Sequence, residues 1–458
     1  MAGWLWFLIQ FVIIAGFFTY IIISSKKAIK ENRTTWFMKT WKKDSTISIA
    51  SSLVSIVCGL LIGCVVLIIM AIIPTKGVTL SFKTAIDGIQ LVFSGVFNTG
   101  KTSSGALKFG FNPVNFGDML FRATPLILTG LSVAVAFKTG LFNIGAPGQF
   151  LVSTAVTLIL ALSIPTTAVP PLFVWIIAFV SGILVGALWG AVPGLFKSFL
   201  NVNEVITCIM MNWIAANVVT MLFDKEIGPF KNLLDPSGTK NLAYVYKTTH
   251  NNVATSKLGL DLIFEGSQVN GGIIITILIA VLIYIILNKT TFGYQLKACG
   301  SNKFASKYAG INEKSCTVIS MAIAGGLAGA GAALYYLSGN TEFAWETYQS
   351  LPAVGFNGIP AALLACNNPL GVIFSASFIS LLDVNGMQLK YMTPYNEYIT
   401  SIITAVIVYF SAFSLLFKQV LKGEIKINLK DIFSRNGKKT IETIEKEEQK
   451  PVKEEVSE

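Results

Sequence analysis

Few residues in this chain have the types and spacing for chemistry. Gly95-Val-Phe-Asn-Thr-Gly100-Lys101-Thr102 fits the phosphate-loop pattern GxxxxGK[ST]. That pattern binds nucleotide only when a strand precedes it and a helix follows, so that backbone amides cradle the phosphates. Here the following residues, Ser103 to Gly117, are rich in Gly and Pro and read as loop, and 74–117 is too short for a nucleotide-binding domain. The only histidine is His250, and the six cysteines (Cys58, Cys64, Cys208, Cys299, Cys316, Cys366) form no CxxC pair. They read as small apolar packing residues, and neither a metal site nor a cofactor is expected. Glu204 and Asp383 are the carboxylates nearest to apolar runs, each read as lying near the end of one. No nucleophile, base and metal set converges, so catalysis is not expected. What remains is a set of neutral polar and aromatic groups embedded in apolar sequence: Asn143, Gly145, Gln149, Asn212, Phe356 and Asn357.

The elements that must position these groups are membrane spans. The chain has 458 residues, 53% hydrophobic and 13% charged, with mean hydropathy +0.65. Soluble domains carry about 25% charged residues. The expected fold is an all-α polytopic integral membrane protein of about ten transmembrane helices at about 20 residues each, with broken or re-entrant segments. Apolar runs are read at 3–23, 47–73, 118–137, 149–164, 171–196, 205–222, 271–288, 315–337 and 396–417, with two short pieces, 351–366 and 369–383, forming a hairpin around Asn367-Asn368-Pro369.

Basic residues orient this path, because cytoplasmic loops carry the excess of Lys and Arg. Loops assigned inside hold 24 of the 35, against 10 outside. The expected organisation is an extra N-terminal span with a basic cytoplasmic connector over 1–46 and a transmembrane domain over 47–417. Residues 223–270 are an extracellular insertion. Residues 418–458, with ten basic and nine acidic residues, form a cytoplasmic tail that reads as disordered. The net charge of +11 follows from these loops and does not indicate nucleic acid.

Four stretches stand out within the spans. In Arg122–Gln149 an apolar helix ends at Lys138-Thr139-Gly140, and Asn143, Gly145, Pro147, Gly148 and Gln149 follow at or near membrane depth. Irregular backbone there is tolerated where it is buried in protein or lines a wet cavity, and broken helices are where transporters place substrate contacts. An ordinary turn between spans is the plainer account. In Asn201–Asn212, Glu204 opens a span and suits a helix N-terminus, while Asn212, two turns further in, either lines a path or bonds a neighbouring helix. In Ala322–Ala333, Gly and Ala repeat at four, the signature of a close packing face. In Val354–Gly371, Phe356 offers a ring and Asn357 an amide, as substrate contacts or as turn and packing residues.

A fifth stretch, Thr290–Ile311, lies between two spans and carries Lys297, Lys303 and Lys307 with no acid. It reads as cytoplasmic, with one short amphipathic helix between Gly300 and Gly310. Four segments, PLILTGLSVAVAFKTGLFNIGAPGQF, NVNEVITCIMMNWIA, TTFGYQLKACGSNKFASKYAGI and VGFNGIPAALLACNNPLGV, resemble the permease subunits of ABC importers in the ribose and branched-chain amino acid permease superfamily. More narrowly they are similar to its nucleoside-uptake branch. Order and spacing also fit, over roughly residues 47–417.

The resemblance implies a non-catalytic permease that pairs with a second permease, identical or paralogous, and with a cytoplasmic ABC ATPase that hydrolyses the ATP. It also implies an extracellular substrate-binding lipoprotein. Gly293, Lys297, Gly300, Asn302, Ala305 and Gly310 fall on the family's coupling pattern, and the Asn143–Gln149 turn would lie at the centre of the path. Ala146 stands where the family often has an acidic residue, and Cys366 replaces a glycine-arginine step. A path of neutral groups suits a nucleoside. A ribose or simple-sugar permease and an ion-coupled secondary transporter are the alternatives.

Overall fold

The computed structural model describes residues 44–72, 82–101, 107–224, 226–233, 253–341, 343–346, 348–396, 398–413 and 419. The expected N-terminal span at 3–23, its basic connector, His250 and most of the tail lie outside the described residues.

The described residues are almost wholly helical outside their connections, because apolar runs must satisfy every backbone polar group internally. In order they are α1 (Asp44–Ile72), α2 (Phe82–Ser94), α3 (Pro113–Lys138), α4 (Ala146–Ser163), α5 (Pro171–Leu200), α6 (Glu204–Leu222), α7 (Leu260–Ile263), α8 (Gly272–Lys289), α9 (Thr291–Ser301), α10 (Lys303–Tyr308), α11 (Glu313–Tyr336), α12 (Ala353–Leu364), α13 (Pro369–Met392) and α14 (Tyr398–Ala412). Eight of the described helices are long and apolar enough to cross a membrane, and α12 and α14 supply shorter apolar helices. The chain is a multi-pass membrane protein.

Two expectations are corrected. Ser103–Gly117 is not loop throughout: it contains β2 (Leu107–Phe109), which pairs antiparallel with β1 (Asn98–Lys101), and the start of α3, and α2 precedes this hairpin. Gly95–Lys101 of the phosphate-loop lookalike follow a helix and run into the first hairpin arm, with Lys101 Nζ donating to the carbonyl of Met392. Second, the piece 369–383 is not short. It continues as α13 to Met392, because Val384-Asn385-Gly386-Met387 keeps helical geometry while burying Val384 and Asn385 against the fold. Asp383 is consequently inside a long helix and not near its end. The short helix expected between Gly300 and Gly310 is α10, capped by the extended backbone and side-chain oxygen of Asn302, and a further helix, α9, precedes it.

The turn between α12 and α13 matches the reading of Asn367-Asn368-Pro369. Cys366 and Asn367 adopt left-handed backbone, and Asn368 Oδ1 accepts from Leu370 N at 3.1 Å, with Pro369 opening the helix. Glu204 does open α6, beside an Asn203 cap, and pairs with Lys197 at 2.9 Å.

The interior is organised around α3, buried from Met119 to Ala136 along most of its length. α11 packs on it and on α5. The Gly325/Gly329 repeat is a packing face, as expected. A Cβ at Gly325 would strike the carbonyl oxygen of Gly186, and one at Gly190 would come within 2.5 Å of Met321 O. The partner is a second four-residue repeat on α5, Gly182, Gly186, Gly190 and Gly194, buried while the rest of that helix is largely exposed. Such backbone approach lets dispersion and weak polar contacts hold two helices where lipid provides no hydrophobic drive.

Candidate functional site: a capped break between two buried helices

The break between α3 and α4 is closed by side chains from three elements. α3 ends at Lys138, and Thr139 and Gly140 turn the chain, Gly140 in the left-handed region. Asn143 is fully buried (0% exposed) and Gln149 nearly so (1%). Their amides pair face to face: Asn143 Nδ2 donates to Gln149 Oε1 at 2.9 Å, and Gln149 Nε2 donates to Asn143 Oδ1 at 3.1 Å. Asn143 Nδ2 also donates to Ser132 Oγ on α3 (2.9 Å), and its Oδ1 accepts from Gly145 N (3.1 Å).

Gly145, at the N-cap position of α4, has no side chain to cap the helix. The first N–H groups of any helix lack intrahelical partners. Asn212, from the middle of α6, supplies the missing cap: its Oδ1 accepts from Gly148 N at 2.9 Å and its Nδ2 donates to Ile144 O at 3.0 Å. Four of the expected path residues, Asn143, Gly145, Gln149 and Asn212, are thus brought into one cluster. Their hydrogen-bonding groups are engaged with each other and with backbone, as buried polar groups require.

α12 lies against this cluster. A Cβ on Gly355 would come within 2.5 Å of Pro147 Cα, and one on Gly358 within 2.6 Å of the Thr129 backbone. Thr129 Oγ1 donates to Val354 O (3.2 Å) across the same seam. With Gly355 and Gly358 turned inward, Phe356 is exposed and Asn357 half-buried. Phe356 and Asn357, the last two residues expected in the path, therefore sit beside the cluster on a face that is not packed inward.

The coupling candidates occupy the end of the molecule to which α3 descends. Thr290 caps α9 through Gly293 N (3.1 Å), and Gly293 is packed against the last turn of α8. Gly300 rests on the end of α3: a Cβ there would lie 2.5 Å from Lys138 O and 2.8 Å from Gly140 N. Lys297 reaches Asn288 Oδ1 (3.3 Å). Asn302 Oδ1 accepts from Ala305 N (3.0 Å), both residues are exposed, and exposed Gly310 turns left-handed after α10. α10 presents two aromatic rings on one face, Phe304 and Tyr308, 80% and 94% exposed. Both were missed at the sequence level, although an aromatic pair four residues apart in a basic loop is a legible signal. Gly300 on Gly140 thus joins this surface directly to the turn leading to Asn143.

The sequence profile of a permease family, the branched-chain amino acid transport system / permease component, matches residues 115–412, which span α3 to α14. The chain belongs to that permease family. The permease is 33% identical over 350 residues to the nucleoside ABC transporter permease protein NupB of Lactococcus lactis subsp. cremoris, covering 73% of this chain and 93% of the relative. It is 33% identical over 311 residues to the guanosine ABC transporter permease protein NupP of Bacillus subtilis (68% and 84%). It is 28% identical over 314 residues to the glucose ABC transporter permease protein TsgB13 of Haloferax volcanii (67% and 78%). No solved structure matches the permease. Among the described residues no three His, Cys, Asp or Glu side chains converge as metal ligands would.

Proposed function

We propose that this permease is the membrane subunit of an ATP-driven importer and that its solute is a nucleoside. The observation that carries the reading is its similarity to two permeases named for nucleoside and guanosine transport along most of their length. The geometry supports it. The α3–α4 break gives a buried neutral turn held by Asn143, Gln149 and Asn212, and beside it Phe356 presents a ring on which a base can stack and Asn357 an amide for a hydroxyl or base edge. Because the three buried amides are engaged internally, they act on solute by holding the shape of the turn. They meet solute directly only when that turn opens.

The exposed surface of α9 and α10, with Lys297, Asn302, Ala305, Gly310, Phe304 and Tyr308, is the docking face for a cytoplasmic ATPase. Movement there reaches the turn through Gly300 on Gly140. ATP hydrolysis belongs to that partner, and a second permease and an external binding lipoprotein complete the assembly. The glucose permease among the relatives favours one second reading, a sugar solute.

The test is uptake of labelled guanosine, adenosine, uridine and ribose by cells depleted of the permease. Loss of nucleoside uptake with ribose intact is expected. Loss of ribose alone would move the solute to sugars, and unchanged uptake of all four would remove the nucleoside reading.

A further inference from the structure

Two opposite charges, Arg122 on α3 and Asp383 on α13, lie on packed helices inside the membrane-spanning bundle, and among the described residues neither has an ion-pair partner. Arg122 is nine residues into α3 from Pro113, and Asp383 is nine residues from the Met392 end of α13. Both helix ends lie where the β-hairpin packs, so each charge sits about 14 Å along its helix from that end. With 26 residues, α3 is about 39 Å long against a hydrocarbon core of about 30 Å. Arg122 therefore falls within the core.

The guanidinium crosses the α3–α13 seam, with Nη2 3.4 Å from Met387 Sδ, one turn beyond Asp383. Arg122 is the charged neighbour whose field reaches the Asp383 carboxylate. A thioether is a weak acceptor, and the guanidinium carries five N–H donors. Asp383 has no hydrogen bond and no ion pair with any described residue, and both side chains are half-buried. The seam around them is polar as well. Gln388 Nε2 donates to Asn115 Oδ1 (3.0 Å), and Asp118 Oδ1 accepts from Gln268 N (2.9 Å).

Ionisable groups at this depth are costly and face a wet cavity or a partner group and not lipid. An unspent carboxylate beside an unspent guanidinium is complementary to a ligand edge that carries donors next to acceptors. Guanine offers such an edge: N1–H and N2–H2 for the carboxylate, and O6 and N7 for the guanidinium. Adenine lacks the N1–H donor, and uracil has no second donor beside its own N3–H.

We propose that Arg122 and Asp383 form a recognition station in the translocation path that reads the donor–acceptor edge of an oxopurine base. This rests on the nucleoside reading and adds the base and the residues that select it. Tyr391, about two turns beyond Asp383 on α13, is exposed near the hairpin end.

The test uses the assembled transporter in cells, measuring KM and kcat of uptake for guanosine, adenosine and uridine in the wild type, D383N, R122Q and R122K. D383N keeps the shape and loses the double acceptor. It is expected to raise KM for guanosine about tenfold, and those for adenosine and uridine less than about threefold, with kcat held. If R122Q fails to reach the membrane, R122K retains the charge without the planar fork and is expected to lose the guanosine preference. Equal shifts for all three nucleosides, or none, with normal membrane levels would overturn the station while leaving nucleoside transport standing. A wild type that takes up no nucleoside would overturn the functional reading and the station together.

Discussion

Asn212→Ala tests whether the buried amides are caps. The substitution removes the acceptor for Gly148 N–H and the donor to Ile144 C=O. Average side-chain hydrogen bonds between membrane helices are worth only about 0.6 kcal/mol, because the dissociated helices find other partners. Here the partners are backbone groups at a helix start with no intrahelical alternative, and the site is closed. The Cα of Asn212 lies so near Gly148 that a Cβ on that glycine would come within 2.8 Å of it. Each buried group left unpaired costs about 1–3 kcal/mol. With Ile144 half-buried and so toward the low end, the expected loss is about 2–4 kcal/mol.

The assay is thermal unfolding of the detergent-purified permease together with guanosine uptake. The transition should fall by several degrees, since about 2–4 °C per kcal/mol is usual for chains of 150–250 residues and somewhat less for longer ones. Uptake should fall through a lower kcat. Asn212→Leu should behave alike, since it restores bulk and no hydrogen bond. An Ala variant with an unchanged transition and a raised KM would refute the cap and make Asn212 a direct solute contact.

Two further outcomes follow from the packing and the surface. Gly186→Leu forces a side chain into the α11 backbone, where even a Cβ strikes Gly325 O. Overpacking of this kind costs about 1–3 kcal/mol or more, and the amount of monodisperse protein recovered from membranes should drop well below that of an exposed control such as Leu188→Ala. Phe304→Ala with Tyr308→Ala touches exposed rings, so stability should change by less than about 0.5 kcal/mol, while co-purification of an ATPase should be lost; retention of the ATPase would move the docking face elsewhere.

Much of the architecture was legible from residue order. The apolar runs, the helix start at Glu204, the Asn-Asn-Pro turn and the small-residue face of α11 all depend on local geometry, which neighbouring residues fix. Errors arose where local signals were weak. α13 was cut short at Asp383 because a charge followed by Asn and Gly reads as a helix end, yet burial of Val384, Asn385 and Leu389 carries the helix through. The small-residue repeat of α5 was readable and overlooked. α9, which was not anticipated, is marked by its cap, Thr290, at the end of the preceding span.

What residue order alone established is that the chain spans the membrane many times, where most of its long spans lie, and that Asn143 and Gln149 sit at a break. Only the folded molecule decided which helices are interior and which side chains meet. In lipid the periodicity that separates core from surface disappears, since both faces of a helix are apolar. α3 and α5 read alike as apolar runs, yet the first is buried nearly throughout and the second is largely exposed. The cap from Asn212 to Gly148 joins residues 64 positions apart, and the Arg122–Met387 contact joins residues 265 apart. Such pairs are set by how helices cross. Crossing follows from which packing faces meet, as at the glycine repeats of α5 and α11, and residue order shows each face but not its partner.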